Sequence, residues 1–340
     1  MNIDELQLVA RAIVAGQKGV LAADESGPTI KKRFDAVKVD STEETRRRYR
    51  EILFTTEGIE SAIGGVILYD ETIRQATRDG TPFAALLSSR GIHPGIKVDQ
   101  GAKALALYPG EKVTAGLDGL RERLADYRQL GAKFAKWRAV IEIDERDIPS
   151  RYAIQANAHA LARYAALCQE ADLVPIVEPE VLMDGAHDIA RCEAVTAQVL
   201  EAVFAQLNAH RIVLEGMLLK PNMVIAGMQC AQQAGVREVA AATLRCLKRH
   251  VPAAVPGIVF LSGGQSAEDA TDHLNEMNTM GPHPWQVSFS YGRALQAPVL
   301  AVWQGQESKV AAAQQAFAKR CRLNGLARSG KYARTMESLE

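Results

Sequence analysis

The 340-residue chain reads as a single-domain α/β barrel of the (β/α)8 type, on three observations. Eight short apolar, β-branched runs recur along it, helical periodicity fills the stretches between them, and polar residues within the runs gather at their carboxyl ends. Alternation of strand and helix implies parallel pairing through crossover helices, and eight such units close most economically into a barrel. An open doubly wound sheet fits the same alternation, but no G-x-G-x-x-G follows the first run, where a dinucleotide-binding sheet needs one.

In chain order the elements read as follows. "MNIDELQLVARAIV" carries acids early and then apolar residues at helical spacing, which predicts an N-terminal helix. It has neither the apolar core of a signal peptide nor the acid-poor character of a transit peptide, so the expected location is cytoplasmic. "GVLAAD" from Gly19 closes on Asp24. Ser41 and Glu44 then stand at capping-box spacing ahead of a long amphipathic segment. "GGVILYD" from Gly64 closes on Asp70, "GIKVD" from Gly95 carries Lys97 and Asp99, and "FAKWRAVI" from Phe134 carries Lys136 and Arg138. After helical spacing over 158–170, "LVPIVEPE" from Leu173 brings Glu178 and Glu180. "CEAVTAQVLEAVFAQLNAH" is again helical. "LEGMLLKPNM" from Leu214 ends on Lys220, "GIVFLSGG" from Gly257 on Ser262, and "WQVSFSYG" from Trp285 on Ser290, with Arg293 just beyond. The barrel domain is expected to span 1–328, with 329–340 as a short flexible C-terminal tail.

Composition narrows the function. Lys plus Arg number 40 and Asp plus Glu number 40, so there is no net basic field to hold nucleic acid or an acidic membrane. No apolar run approaches the ~18 residues that span a bilayer. Cys168, Cys192, Cys230, Cys246 and Cys321 form no C-x-x-C pair, which fits a reducing compartment and packing thiols. The histidines, His187 beside Asp188 among them, fall in loops and helices rather than at strand ends, so no metal site is expected.

The carboxyl ends of parallel barrel strands form one face, and that face carries the active site. Lys136 and Arg138 are two apart and share one side of their strand, as do Glu178 and Glu180. A mixed cluster of Lys, Asp and Glu at one rim is the composition that neutralises inward charges, and a purely structural ion-pair network is the plain alternative. Lys220 closes an apolar strand, where lysine is rare unless paired or used. As a neutral amine it can condense with a ketone, and the protonated imine is an electron sink that lets the neighbouring carbon–carbon bond break. Glu178 suits the proton transfers at nitrogen, and Asp24 or Glu178 the deprotonation of the departing hydroxyl. The glycine loops around Ser262, Gly263, Ser290, Gly292 and Arg293 suit a phosphate. Lys97, Lys136, Arg138, Ser26, Thr29, Lys32 and Arg33 form a second cationic zone. Two zones suit a substrate with a phosphate at each end, whereas a transaldolase-like reaction needs only one.

"LAADES", "GGVILYDET", "GIKVDQG", "FAKWR", "LARYA", "VPIVEPE", "LLKPNM", "FLSGGQS" and "SYGRALQA", collinear over residues 9 to 332, together resemble class I fructose-bisphosphate aldolase. The resemblance implies a TIM barrel, a homotetramer, and metal-independent, cofactor-free cleavage of fructose 1,6-bisphosphate to dihydroxyacetone phosphate and glyceraldehyde 3-phosphate in glycolysis and gluconeogenesis. Lys220 matches the Schiff-base lysine, Glu178 the acid/base glutamate with Glu180 beside it, Asp24 the cleavage aspartate, and Lys136 the lysine beside the imine. Ser262, Gly263, Ser290, Gly292 and Arg293 match one phosphate site; Lys97, Arg138, Ser26 and Thr29 match the other. Two departures stand out. Gly27, Pro28 and Thr29 replace the family's Thr-Gly-Ser run. The family's tail ends in a tyrosine, whereas Tyr332 is the last tyrosine here and Glu340 the last residue, so enamine protonation is expected to run differently.

Overall fold

The computed structural model describes residues 1–144 and 148–338. Eight parallel strands close into a barrel in chain order, the last pairing with the first. They are β1 (Gly19–Ala23), β2 (Ile63–Leu68), β3 (His93–Lys97), β4 (Phe134–Ile141), β5 (Val174–Val181), β6 (Leu218–Leu219), β7 (Gly257–Phe260) and β8 (Gln286–Tyr291). Each falls on a run that the sequence predicts, and closure removes the open-sheet alternative. Lys220 still donates its N–H to Val177 O at 2.8 Å, but Pro221 has no N–H to give, which stops β6 there.

The barrel interior is dry at its amino end. Leu6, Val9, Ala10 and Ile13 of the N-terminal helix (Ile3–Ile13) pack with Val20, Ile67, Phe134, Ile176, Leu218 and Val259 from the strands, so the helix plugs that end. Two glycines let it close. A Cβ on Gly64 would lie 2.1 Å from Ile13 O, and one on Gly95 2.2 Å from the Phe134 ring.

Three details differ from the sequence reading. The helix Glu43–Thr55 is capped by Thr42, whose side chain takes the Thr45 N–H, while Thr45 Oγ1 takes the Thr42 N–H. The box is therefore Thr42/Thr45 rather than Ser41/Glu44; Ser41 instead accepts from Arg46 through its carbonyl oxygen at 3.1 Å. A small antiparallel hairpin, Ala102–Ala104 with Lys112–Thr114, lies outside the eight predicted runs. Finally, the stretch expected as a flexible tail is anchored over 329–338. Tyr332 is buried and donates its N–H to Asn275 Oδ1 at 2.9 Å, Glu337 pairs with Arg320, and Arg334 with Asp269 and Asp272. Among the described residues no helix is long and apolar enough to cross a membrane.

Candidate active site

A cleft of about 730 Å³ opens at the carboxyl ends of the strands. Every site residue named from the sequence lines it: Lys220, Glu178, Asp24, Lys136, Glu180, Lys97, Arg138, Ser26, Thr29, Ser262, Gly263, Ser290, Gly292 and Arg293. They converge because parallel register sets neighbouring strand ends side by side. Lys97 stands opposite Lys136, and Arg138 opposite Glu178.

At the floor, Glu178 stands between two ammonium groups. Its Oε1 lies 3.1 Å from Lys220 Nζ and its Oε2 3.3 Å from Lys136 Nζ. The side chains of Lys220, Glu178 and Lys136 are at most 5% exposed. The closest charged neighbour of Lys220 is thus an anion, with Lys136 on its far side. Lys136 Nζ also meets Asp24 Oδ2 at 2.8 Å and Asp99 Oδ2 at 3.9 Å. Burial opposes the charge on Lys136, yet Asp24, Glu178 and Asp99 together hold its pKa well above the usual lysine range. Burial likewise pushes Asp24 up, but Lys136 and then Lys220 outweigh it and keep the carboxyl well below the usual carboxylate range. Lys136 is therefore a fixed cation and Asp24 a fixed anion at neutral pH. Glu178 Oε2 is sealed from solvent and faces the Lys136 ammonium at 3.3 Å outside hydrogen-bond geometry, so it is held by charge alone.

One end of the cleft is built from the exits of β7 and β8. Gly263 has φ +52°, a left-handed conformation that glycine adopts without strain, and a Cβ there would displace the Met183 side chain. Ser290 Oγ is buried and has no hydrogen-bond partner among the described residues. Arg293 opens the helix Arg293–Trp303, whose N-terminal N–H groups add positive potential, and its guanidinium donates to Gly263 O at 2.6 Å. The other end is built from β3, β4 and the segment after β1. Lys97 Nζ is held by Asp99 Oδ1 at 2.6 Å, Arg138 pairs with Glu180, and Ser26 Oγ lies 3.1 Å from Thr29 Oγ1. The Gly-Pro-Thr departure starts the helix Gly27–Ala36, with Pro28 in its first turn, where a missing N–H costs nothing.

The geometry gives a role to Asp99, which the sequence places at its strand end without one, and adds Glu25, Arg50 and Gln296. Asp99 joins the strands: Oδ2 accepts the Arg138 N–H at 3.2 Å while Oδ1 takes Lys97. Its place on "GIKVD" was the available signal. Glu25 lines the cleft and is bound by Arg33, by Arg50 and by Gln296 Nε2, the last at 2.8 Å. Arg50 and Gln296 lie on helices distant in sequence and carried no such signal.

The sequence profile of the family described as fructose-bisphosphate aldolase class-I matches residues 5–340. The chain belongs to the class I fructose-bisphosphate aldolase family. It is 57% identical over 333 residues to a probable fructose-bisphosphate aldolase class 1 of Xanthomonas campestris pv. campestris, covering 98% of this chain and 99% of that one. It is 56% identical over 329 residues to fructose-bisphosphate aldolase 1 of Toxoplasma gondii, covering 96% and 91%. Among solved structures, the Plasmodium falciparum aldolase in complex with TRAP and a small-molecule inhibitor superposes with a TM-score of 0.96 at 50% identity, covering 97% and 95%. As a member of this family the protein is a carbon–carbon lyase with a TIM barrel fold.

Proposed function

We propose that Lys220 is the nucleophile in the reversible cleavage of fructose 1,6-bisphosphate to dihydroxyacetone phosphate and glyceraldehyde 3-phosphate. Lys220 Nζ adds to the ketone carbon C2, water leaves, and a protonated imine forms. The C3–C4 bond then breaks as the C4 hydroxyl gives up its proton, and the bonding electrons pass into the iminium to leave an enamine. Glu178, 3.1 Å from Lys220 Nζ, is the group that relays protons as water leaves and later returns. Asp24, kept ionised by Lys136, or Glu178 takes the proton of the C4 hydroxyl. Lys136 supplies a fixed positive charge beside the developing enamine, and Glu180 orients Arg138. Ser262, Gly263, Ser290, Gly292 and Arg293 receive one phosphate, and Lys97, Arg138, Ser26 and Thr29 the other. The imine itself is the electron sink, so the reaction runs without metal or cofactor. A homotetramer in the cytoplasm belongs to the same reading, and a single-chain mass in sedimentation equilibrium would remove the tetramer.

The observation that carries the reading is the buried Lys220–Glu178–Lys136–Asp24 chain at the floor of a cleft with anion-binding groups at both ends. The test is to mix protein and fructose 1,6-bisphosphate with EDTA, reduce with borohydride, and map the adduct by mass spectrometry. A triose-phosphate adduct on the Lys220 peptide is expected. Continued cleavage with no adduct would exclude the imine.

A further inference from the structure

The turn after β7 is gripped from behind by side chains that take no part in the proton transfers. Gln265 donates to Ser262 O twice, through its backbone N–H at 3.1 Å and its Nε2 at 3.2 Å. Nε2 also reaches Met223 Sδ at 3.6 Å, three residues along the chain from Lys220. With Nε2 committed to these acceptors, Oε1 faces away and meets His273 Nδ1 at 2.6 Å. This assigns the imidazole proton to Nδ1, which donates to the amide oxygen. His273 is buried on the helix Ala267–Thr279, so the grip starts from a rigid element outside the barrel.

The consequence falls on the turn itself. Ser262 O is taken by Gln265, and Gly263 O by Arg293. With both carbonyls taken, the Gly264 N–H is directed at Met183 Sδ in the cleft wall. A thioether is a weak acceptor, and an anionic phosphate oxygen is a far stronger one. The turn is thus held with a donor ready for exchange.

We propose that Gln265, locked by His273, is a positioning residue that presents the 262–264 turn to the substrate phosphate; this rests on the reading of that turn as a phosphate seat. Losing one buried hydrogen bond in the grip corresponds to roughly a tenfold loss of phosphate affinity. In Gln265→Leu and in His273→Phe, KM for fructose 1,6-bisphosphate and the inhibition constant for inorganic phosphate should therefore rise together, by about tenfold. In both variants kcat should stay within about threefold, and borohydride should still trap Lys220. His273→Gln keeps a donor for Oε1 and should recover most of the affinity, which a merely structural role would not produce. Thermal unfolding of each variant reports folding, and if Gln265→Leu does not fold, the His273 pair carries the test. Unchanged KM and phosphate inhibition in the folded variants, a loss confined to kcat, or no recovery in His273→Gln would each overturn the proposal. A wild-type enzyme that phosphate does not inhibit competitively would instead sink the phosphate seat, and failure to trap Lys220 would sink the imine.

Discussion

Glu178 stands between two buried ammonium groups, one facing each of its oxygens. Glu178→Gln keeps the shape of the side chain and removes its charge and its basicity together. The expected loss is about 10²–10⁴ in kcat, the usual contribution of a general acid–base group, with a much smaller change in KM. Steady-state kinetics checks it; an unchanged kcat would leave Asp24 as the sole proton carrier. His273 gives a second prediction at this scale. Burial, partly offset by Asp269 and reinforced by Arg334, lowers its pKa from 6.5 to about 4. Between those values the unfolded chain binds a proton that the folded chain refuses, so stability falls as pH drops through that window. His273→Gln should abolish about 2 kcal/mol of the stability lost between pH 7 and pH 5. Urea unfolding of both proteins at the two pH values reads the difference directly.

At the scale of elements, the site owes its dry floor to the helix Ile3–Ile13, which seals the opposite end of the barrel. The seal depends on backbone meeting backbone at Gly64, where a Cβ would stand 2.1 Å from Ile13 O. A main-chain oxygen cannot swing aside as a side chain would, so Gly64→Ala should cost about 3 kcal/mol, the upper end of overpacking penalties. Thermal or urea unfolding measures it, and a wild-type midpoint would mean that the helix shifts freely. The strands were legible in the sequence because each is an apolar run ending in a charge or hydroxyl, and because that end faces the site. The Ala102–Ala104 hairpin was not, since three-residue strands give no period to read. The helix start at Thr42 was missed by one residue, because Ser41 and Thr42 both have the chemistry of a cap and only backbone geometry chooses between them. Gln265 and His273 were hidden for a different reason: their partnership lies across a turn and a helix, and neither residue type marks a site alone.

For the whole molecule, the chain's last described segment ties down the helices behind the phosphate turn. Arg320 is 4% exposed; it donates to Ala267 O at 3.0 Å and Thr271 Oγ1 at 2.6 Å on the helix Ala267–Thr279, and to Ala294 O at 3.3 Å on the helix Arg293–Trp303. Its charge is answered by Glu337, which also accepts from the Tyr332 hydroxyl at 2.9 Å. Segment 329–338 thus neutralises a cation buried between the two helices that follow β7 and β8, and those helices carry the turn and the N-terminus assigned to one phosphate. Removing only the charge, by Glu337→Gln, leaves a buried guanidinium without its anion. Breaking a fully buried pair costs about 3–5 kcal/mol. Because the Glu337 side chain keeps 17% of its exposure, water recovers part of this and about 2 kcal/mol is expected. The effect should also reach the cleft as a rise in the inhibition constant for inorganic phosphate, whereas trapping of Lys220 should persist. A variant with wild-type stability and wild-type phosphate inhibition would mean that Arg320 is satisfied by its carbonyl and hydroxyl acceptors alone, and that the Glu337 charge does not reach the phosphate turn.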